Sequence, residues 1–189
     1  MLSRLLLLFL AVLWTESEAV NYRWTASIER STGIATSREV SKAPHPLTQV
    51  QKTFASYPEW IAKPRVTFGI LTAKQKGDGS TAMQVRLCRL EVLIFGKHTC
   101  KGKNTIILPI TGGLLARPNE CKEYGSLVFS LRDEHIVETG IDHGYRPSIA
   151  GRPPVSNLRA WTYRSTQSLM HAYVMWRFHN YCYTAATQE

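Results

Sequence analysis

The sequence predicts an α+β fold in which a curved antiparallel sheet carries short N-terminal helices and one long C-terminal helix packed on it. Three observations lead there. Across residues 157–183 no Gly or Pro intervenes, and Leu158, Trp161, Ser165, Leu169, Ala172, Trp176 and Tyr183 recur at helical spacing. Residues 66–141 hold several runs of alternating apolar residues bounded by turn signals, the mark of strands. Between the first strand and these runs, prolines at Pro44 and Pro46 precede Val50, Phe54 and Ile61, which predicts one or two short helices.

Taken in order, residues 22–29 form the first strand, and a polar stretch leads to the short helices, with Tyr57-Pro58-Glu59-Trp60 at the break between them. Residues 66–73 read as a strand and Lys76-Gly77-Asp78-Gly79 as a turn, because Asp-Gly supports positive φ. Residues 83–95 read as one strand. Its apolar side chains change phase near Cys88 and Arg89, which implies a bulge or bend. Residues 105–110, 125–131 and 135–141 supply further strands, with Asp133-Glu134-His135 as a charged turn and Gly112-Gly113 and Gly140 as bend points. The segment 144–154 has too many prolines and glycines for a regular element, and Ser156 caps the terminal helix. Arg159 and Arg164 fall off its apolar stripe.

At the N-terminus, Arg4, an apolar run over residues 5–14 and Ser17-Glu18-Ala19 make up a three-part signal peptide over residues 1–19, so residues 20–189 are expected as one secreted globular domain. The apolar run is too short to span a bilayer core, which takes about 20 residues. No transmembrane segment is expected elsewhere either. Residues 1–19 carry Arg4 against Glu16 and Glu18, so the formal charge of +9 becomes +10 for residues 20–189. Such a surface attracts anionic partners. The basic residues are scattered rather than clustered with aromatics on a recognition element, which argues against nucleic acid and leaves an anionic surface or glycan. The densest group, Lys97, His98, Lys101 and Lys103, brackets Cys100 in an expected connecting loop.

Four cysteines, Cys88, Cys100, Cys121 and Cys182, permit two disulfides in an oxidising compartment. Cys100 and Cys121 flank the apolar segment 105–116, which is expected to turn back at Gly112-Gly113, so a bridge between them is expected, at about 3 kcal/mol in the chain-entropy picture. Cys88 and Cys182 either pair across the core or remain buried thiols. No cysteine spacing suits a structural zinc site, and no metal or cofactor is expected.

A strand, short helices around Tyr57-Pro58-Glu59-Trp60, curved strands and one long terminal helix is the order found in the helix-grip superfamily of Bet v1-like, START and polyketide cyclase-like proteins. The stretch 35–60, with Val40, Ala43-Pro44, Val50, Phe54 and Tyr57-Pro58-Glu59-Trp60, resembles the N-terminal pattern of that group, and the resemblance extends over residues 22–183. It implies a cavity between sheet and terminal helix and hydrophobic small-molecule ligands; some members of the group catalyse cyclisation. A lipocalin-like barrel with a terminal helix is the rival architecture.

His171, mid-helix between Met170 and Tyr173 in a stretch rich in Trp and Tyr, is the candidate acid/base, able to take a proton or orient a ligand carbonyl. Tyr163, Tyr173 and Trp176 are candidates for the pocket wall, and Tyr145 and Arg146 for its mouth, against the plainer reading of all six as packing residues. There is no G-x-S-x-G elbow and no phosphate-cradling loop, and Asp142-His143, as chain neighbours, are poorly placed to act as a pair. Three functions remain open. They are binding of a hydrophobic small molecule under the terminal helix, cyclase or isomerase chemistry in the same place through His171, and a non-enzymatic effector-like interaction through the basic surface.

Overall fold

A computed structural model describes residues 21–43, 45–47, 50–119, 123–142 and 144–186. The signal-peptide segment lies outside the described residues. The elements run β1 (Arg23–Ile28), β2 (Ala35–Lys42), α1 (Val50–Ala55), α2 (Tyr57–Ile61), α3 (Pro64–Thr67), β3 (Leu71–Gln75), β4 (Thr81–Val85), β5 (Glu91–Phe95), β6 (Thr99–Lys101), β7 (Thr105–Gly112), β8 (Ala116–Arg117), β9 (Ser126–Arg132), β10 (Ile136–Asp142) and β11 (Arg146–Pro147). A short 3₁₀ turn, Ser148–Ala150, then leads to α4 (Asn157–Tyr163), a π-helical turn (Arg164–Ser168) and α5 (Leu169–Ala186).

The main sheet is antiparallel throughout, in the order β1-β2-β10-β9-β7-β5-β4-β3, with β6 also paired to β7. It is curved but not closed, which removes the barrel alternative. The expected α+β architecture is the one observed. Register shifts at Met83/Gln84 and Ile94/Phe95 mark bulges in the β4–β5 and β5–β7 pairings, and bulges are how a sheet acquires a local bend.

Several elements depart from the sequence reading. β2 falls in what reads as a polar stretch, because its inward residues are Ser37, Glu39 and Ser41 rather than apolar ones. The strand expected over 66–73 opens as α3, whose chain reverses through the left-handed Phe68, and only Leu71 begins the pairing. The single strand expected over 83–95 is a hairpin, β4 and β5, whose turn carries Arg89 at φ 55. Tyr57-Pro58-Glu59-Trp60 is not a break but α2 itself, with Pro58 in the first turn and Tyr57, Trp60 and Ile61 buried.

The C-terminal helix begins where expected, with the Ser156 hydroxyl accepting from the Arg159 amide at 3.3 Å. Its first turn faces the other way from the expected stripe. Leu158 and Trp161 are exposed and Ala160 and Tyr163 buried, because the π turn inserts an extra residue and shifts the helical phase of everything before it.

The core gathers on a cluster of rings. Phe178 of α5 stands edge-on to Tyr57 and Trp60 with centroids 4.9 Å away, and 5.4 Å from Phe129 of β9. Phe54 stacks on Phe129, and Phe95 meets Tyr57 edge to face. Sheet, short helices and terminal helix thus share one aromatic junction. Phe178→Ala is expected to cost about 3–5 kcal/mol in urea unfolding, whereas Trp161→Ala on the exposed face of α4 shifts stability by about 0.5 kcal/mol or less.

Candidate functional site

On β2 the side chains of Ser37, Glu39 and Ser41 alternate onto the face beneath α5. Glu39 pairs with Thr139 on β10 and with Trp24 on β1, which places its carboxylate inside the sheet rather than at an edge. It has no solvent exposure at all. From above, α5 lowers His171, His179 and Tyr183 onto these residues, spaced at multiples of four so that they follow one slowly turning stripe.

The hydrogen bonds fix the direction of each proton. The Thr139 hydroxyl donates to Glu39 Oε2 at 2.9 Å, so its oxygen is left to accept from His179 Nε2 at 3.1 Å. His179 therefore carries its proton on Nε2, and Nδ1 accepts from the Ser41 hydroxyl, which in turn accepts from Tyr183. The result is a continuous chain, Tyr183 to Ser41 to His179 to Thr139 to Glu39, in which every donor points toward the carboxylate. In the low-dielectric interior such a chain reinforces itself.

At its other end the chain is incomplete. Among the described residues Glu39 Oε1 accepts no hydrogen bond; His171 Nε2 stands 3.3 Å from it and 3.1 Å from Ser37 Oγ. Leaving a buried carboxylate oxygen so sparsely satisfied costs stability.

Around it stand phenols that burial, and then the Glu39 charge, hold protonated: Tyr22 and Tyr57 pushed above the usual tyrosine range, and Tyr163 raised to about 12. Tyr22 lies edge-on to the His179 ring at 5.4 Å and donates to the Ala172 carbonyl at 3.0 Å. Burial, followed by the neighbouring His171, pushes His179 down to about 3, so it is neutral.

Of the six residues singled out by sequence, His171 and Tyr163 border this site. Tyr145 lies beyond Tyr163, where its hydroxyl donates to the Leu115 carbonyl and meets Gln167 of the π turn. Arg146 is in β11, paired with β8. Tyr173 and Trp176 are buried, their rings 6.2 Å apart; Tyr173 stands about 200° around the helix from His171 and carries Arg177 at 5.9 Å over its ring.

Sequence reading missed Glu39, His179, Thr139, Ser41 and Tyr183. The available signal was the inverted pattern of β2, with polar Ser37, Glu39 and Ser41 at the alternate positions a buried strand usually gives to apolar residues.

Two concavities among the described residues, of about 570 Å³ and 460 Å³, lie away from the space between sheet and terminal helix. The first is lined by Leu47, Val50, Gln51 and Lys103 among others, the second by Ile107, Pro109 and Tyr124 on the outer face of β7. Beneath the helix, the space toward α1 and α2 is filled by the aromatic junction.

The expected Cys100–Cys121 bridge is not formed. Cys100 is a free, exposed thiol on β6, and Cys121 lies outside the described residues. The chain does not double back at Gly112-Gly113; Leu114 and Leu115 instead bond to Glu91 and Val92 of β5, and β8 continues to β11. Cys88 is also a free, exposed thiol and Cys182 a free, buried one. The basic group around Cys100 sits partly on β6 rather than in a loop. Asp133-Glu134-His135 does form the β9–β10 turn, with Asp133 and Glu134 left-handed. Of the Asp142-His143 neighbours, His143 lies outside the described residues. Among the described residues no helix is long and apolar enough to cross a membrane, and no three His, Cys, Asp or Glu side chains gather as metal ligands.

No protein-family profile matches the chain, and no curated protein does. Among solved structures, CalU16 from Micromonospora echinospora aligns over 89% of this chain and 97% of its own, at 8% identity and a TM-score of 0.34. At that level nothing of function passes from one chain to the other.

The position of His179 sets a pH dependence. Its imidazole titrates near 3 folded and near 6.5 unfolded, so over that interval the unfolded chain holds a proton that the native one lacks. Its contribution is whole above the upper value and is lost as pH falls toward the lower, at up to about 1.4 kcal/mol per pH unit. Urea midpoints measured across that window are expected to fall less steeply for His179→Gln than for the unsubstituted chain.

Proposed function

We propose that the chain binds a small hydrophobic molecule bearing a hydrogen-bond donor, such as a hydroxyl or amine, between the sheet and the terminal helix, with Glu39 and His171 holding its polar end. The observation that carries this reading is the fully buried Glu39 Oε1 without a hydrogen bond. Replacing a whole buried ionic cluster by well-packed apolar residues is often neutral or stabilising, so a carboxylate oxygen left without a donor is a costly element of a core. The acceptor is retained at a cost, and a ligand donor offsets it.

The adjoining π turn supports the same reading. Its looser hydrogen bonding gives α5 a place to shift, and such turns recur at functional sites. Among the described residues no concavity is open beneath the terminal helix, so the ligand enters as α5 shifts at the π turn and lies toward β1, β2 and β10, where the inward residues Ala26, Ser37 and Thr139 are small. In the exported form that the N-terminal segment suggests, the ligand is met outside the cell.

A second reading rests on the same pair. An imidazole beside a buried carboxylate is equipped for acid/base work, so a cyclase or isomerase reaction would run through His171. It requires conversion of the bound molecule, and His171→Ala would then lower kcat far more than it weakens binding.

The discriminating probes for binding are 1-decanol and its methyl ether, alike in apolar length and different in the donor. Decanol is expected to raise the melting temperature by several degrees and the ether not to. Glu39→Leu should lose the response to decanol. Equal shifts from both probes, or a response that persists in Glu39→Leu, would remove the proposal.

A further inference from the structure

At one end of the sheet three loops present large apolar side chains to solvent, and each apolar tip stands beside basic residues or on a backbone pinned to its neighbour. After α3, Phe68 and Ile70 project from the chain that leads into β3, with Phe68 68% exposed. Between β4 and β5 the turn carries Leu87, 96% exposed, and Leu90. Past β7, Leu114 is exposed as well.

Hydrogen bonds bind the three into one surface. The Arg86 amide donates to the Ile70 carbonyl at 2.8 Å and its Nε to the Gly69 carbonyl at 2.9 Å, while the Leu114 amide donates to the Glu91 carbonyl at 2.9 Å. Gly113 permits the last approach, because a Cβ there would stand 2.5 Å from Leu93 Cα. The exposed basic side chains on these segments are Arg65, Arg86 and Arg89, no acidic residue occurs in 60–77 or 86–90, and Glu91, next to Leu90, is neutralised by Lys76 at 2.9 Å.

We propose that this end of the molecule docks on an anionic lipid bilayer, with Phe68, Ile70, Leu87, Leu90 and Leu114 entering the interfacial region and the arginines engaging lipid phosphates. The charge pattern selects that occupant. Apolar tips interleaved with guanidinium groups match a surface that offers hydrocarbon and phosphate at adjoining depths. A second copy would set the same arginines against each other in a two-fold contact. This inference does not depend on the ligand site under the helix.

Cys88 lies within the patch and is exposed, so it can report on it. In the full chain with Cys100→Ser and Cys121→Ser, Cys88 is labelled with a polarity-sensitive fluorophore and mixed with vesicles of phosphatidylcholine alone or with phosphatidylglycerol. The expected result is a blue shift and brightening with the anionic vesicles only, weakened by high salt. Sedimentation should show binding reduced about tenfold or more in Leu87→Ser/Leu90→Ser and in Arg65→Glu/Arg89→Glu, with circular dichroism unchanged because all four positions are exposed. Sedimentation with vesicles without any change in the fluorophore, equal binding to uncharged vesicles, or unchanged binding by both double variants would overturn the proposal. The double variants share residues 1–20 with the parent chain, so binding through that segment appears as the last of these outcomes.

Discussion

The placement of the Glu39 carboxylate constrains the fold on every side. It sits on a central strand, under a helix, in a position without solvent, so its oxygens depend on what β10 and α5 provide. Thr139 supplies one donor, and that single bond sets the proton on His179, the orientation of Ser41 and the role of Tyr183. A strand shift of one residue would turn Glu39 outward and bring Val40 in, and the whole chain would come apart at once. Polar pairing therefore specifies the register of β2 against α5 more sharply than apolar contact does.

Stability comes mainly from the opposite half of the interface. There the rings of Phe54, Tyr57, Trp60, Phe129 and Phe178 close the space between the short helices, the sheet and α5. The division is spatial as well as energetic. Toward α1 and α2 the helix is fixed by packed aromatics, and toward β1, β2 and β10 it rests on hydroxyls, imidazoles and a carboxylate.

Much of this architecture was legible in the sequence. The long helix, its Ser156 cap, the β7, β9 and β10 strands and the charged turn at residues 133–135 follow from periodicity and turn chemistry, which are local. What escaped depends on distant partners. β2 carries Ser, Glu and Ser where a buried strand usually carries Val or Ile, and only the arrival of His171, His179 and Thr139 from more than 90 residues away makes those side chains acceptable inside. The turn between β4 and β5 was hidden because Leu87 and Leu90 extend the apolar pattern straight through it. Of the site, His171 and Tyr163 could be picked out by type and position; Tyr173 belongs to the same helix but stands about 200° around it from His171.

The π turn also works as a vernier between two parts of one helix. α5 is indexed to the sheet by residues spaced in fours, while α4 is indexed to the Ser148–Ala150 turn and its Ser156 cap. One surplus residue between them absorbs the mismatch of about 100° per position. Removing a residue from 164–168 would make the helix regular and force a choice. Either α4 rotates and draws Leu158 or Trp161 inward in place of Tyr163, or α5 rotates and carries His171 and His179 away from Glu39. The extra residue is what lets both halves keep their partners at the same time.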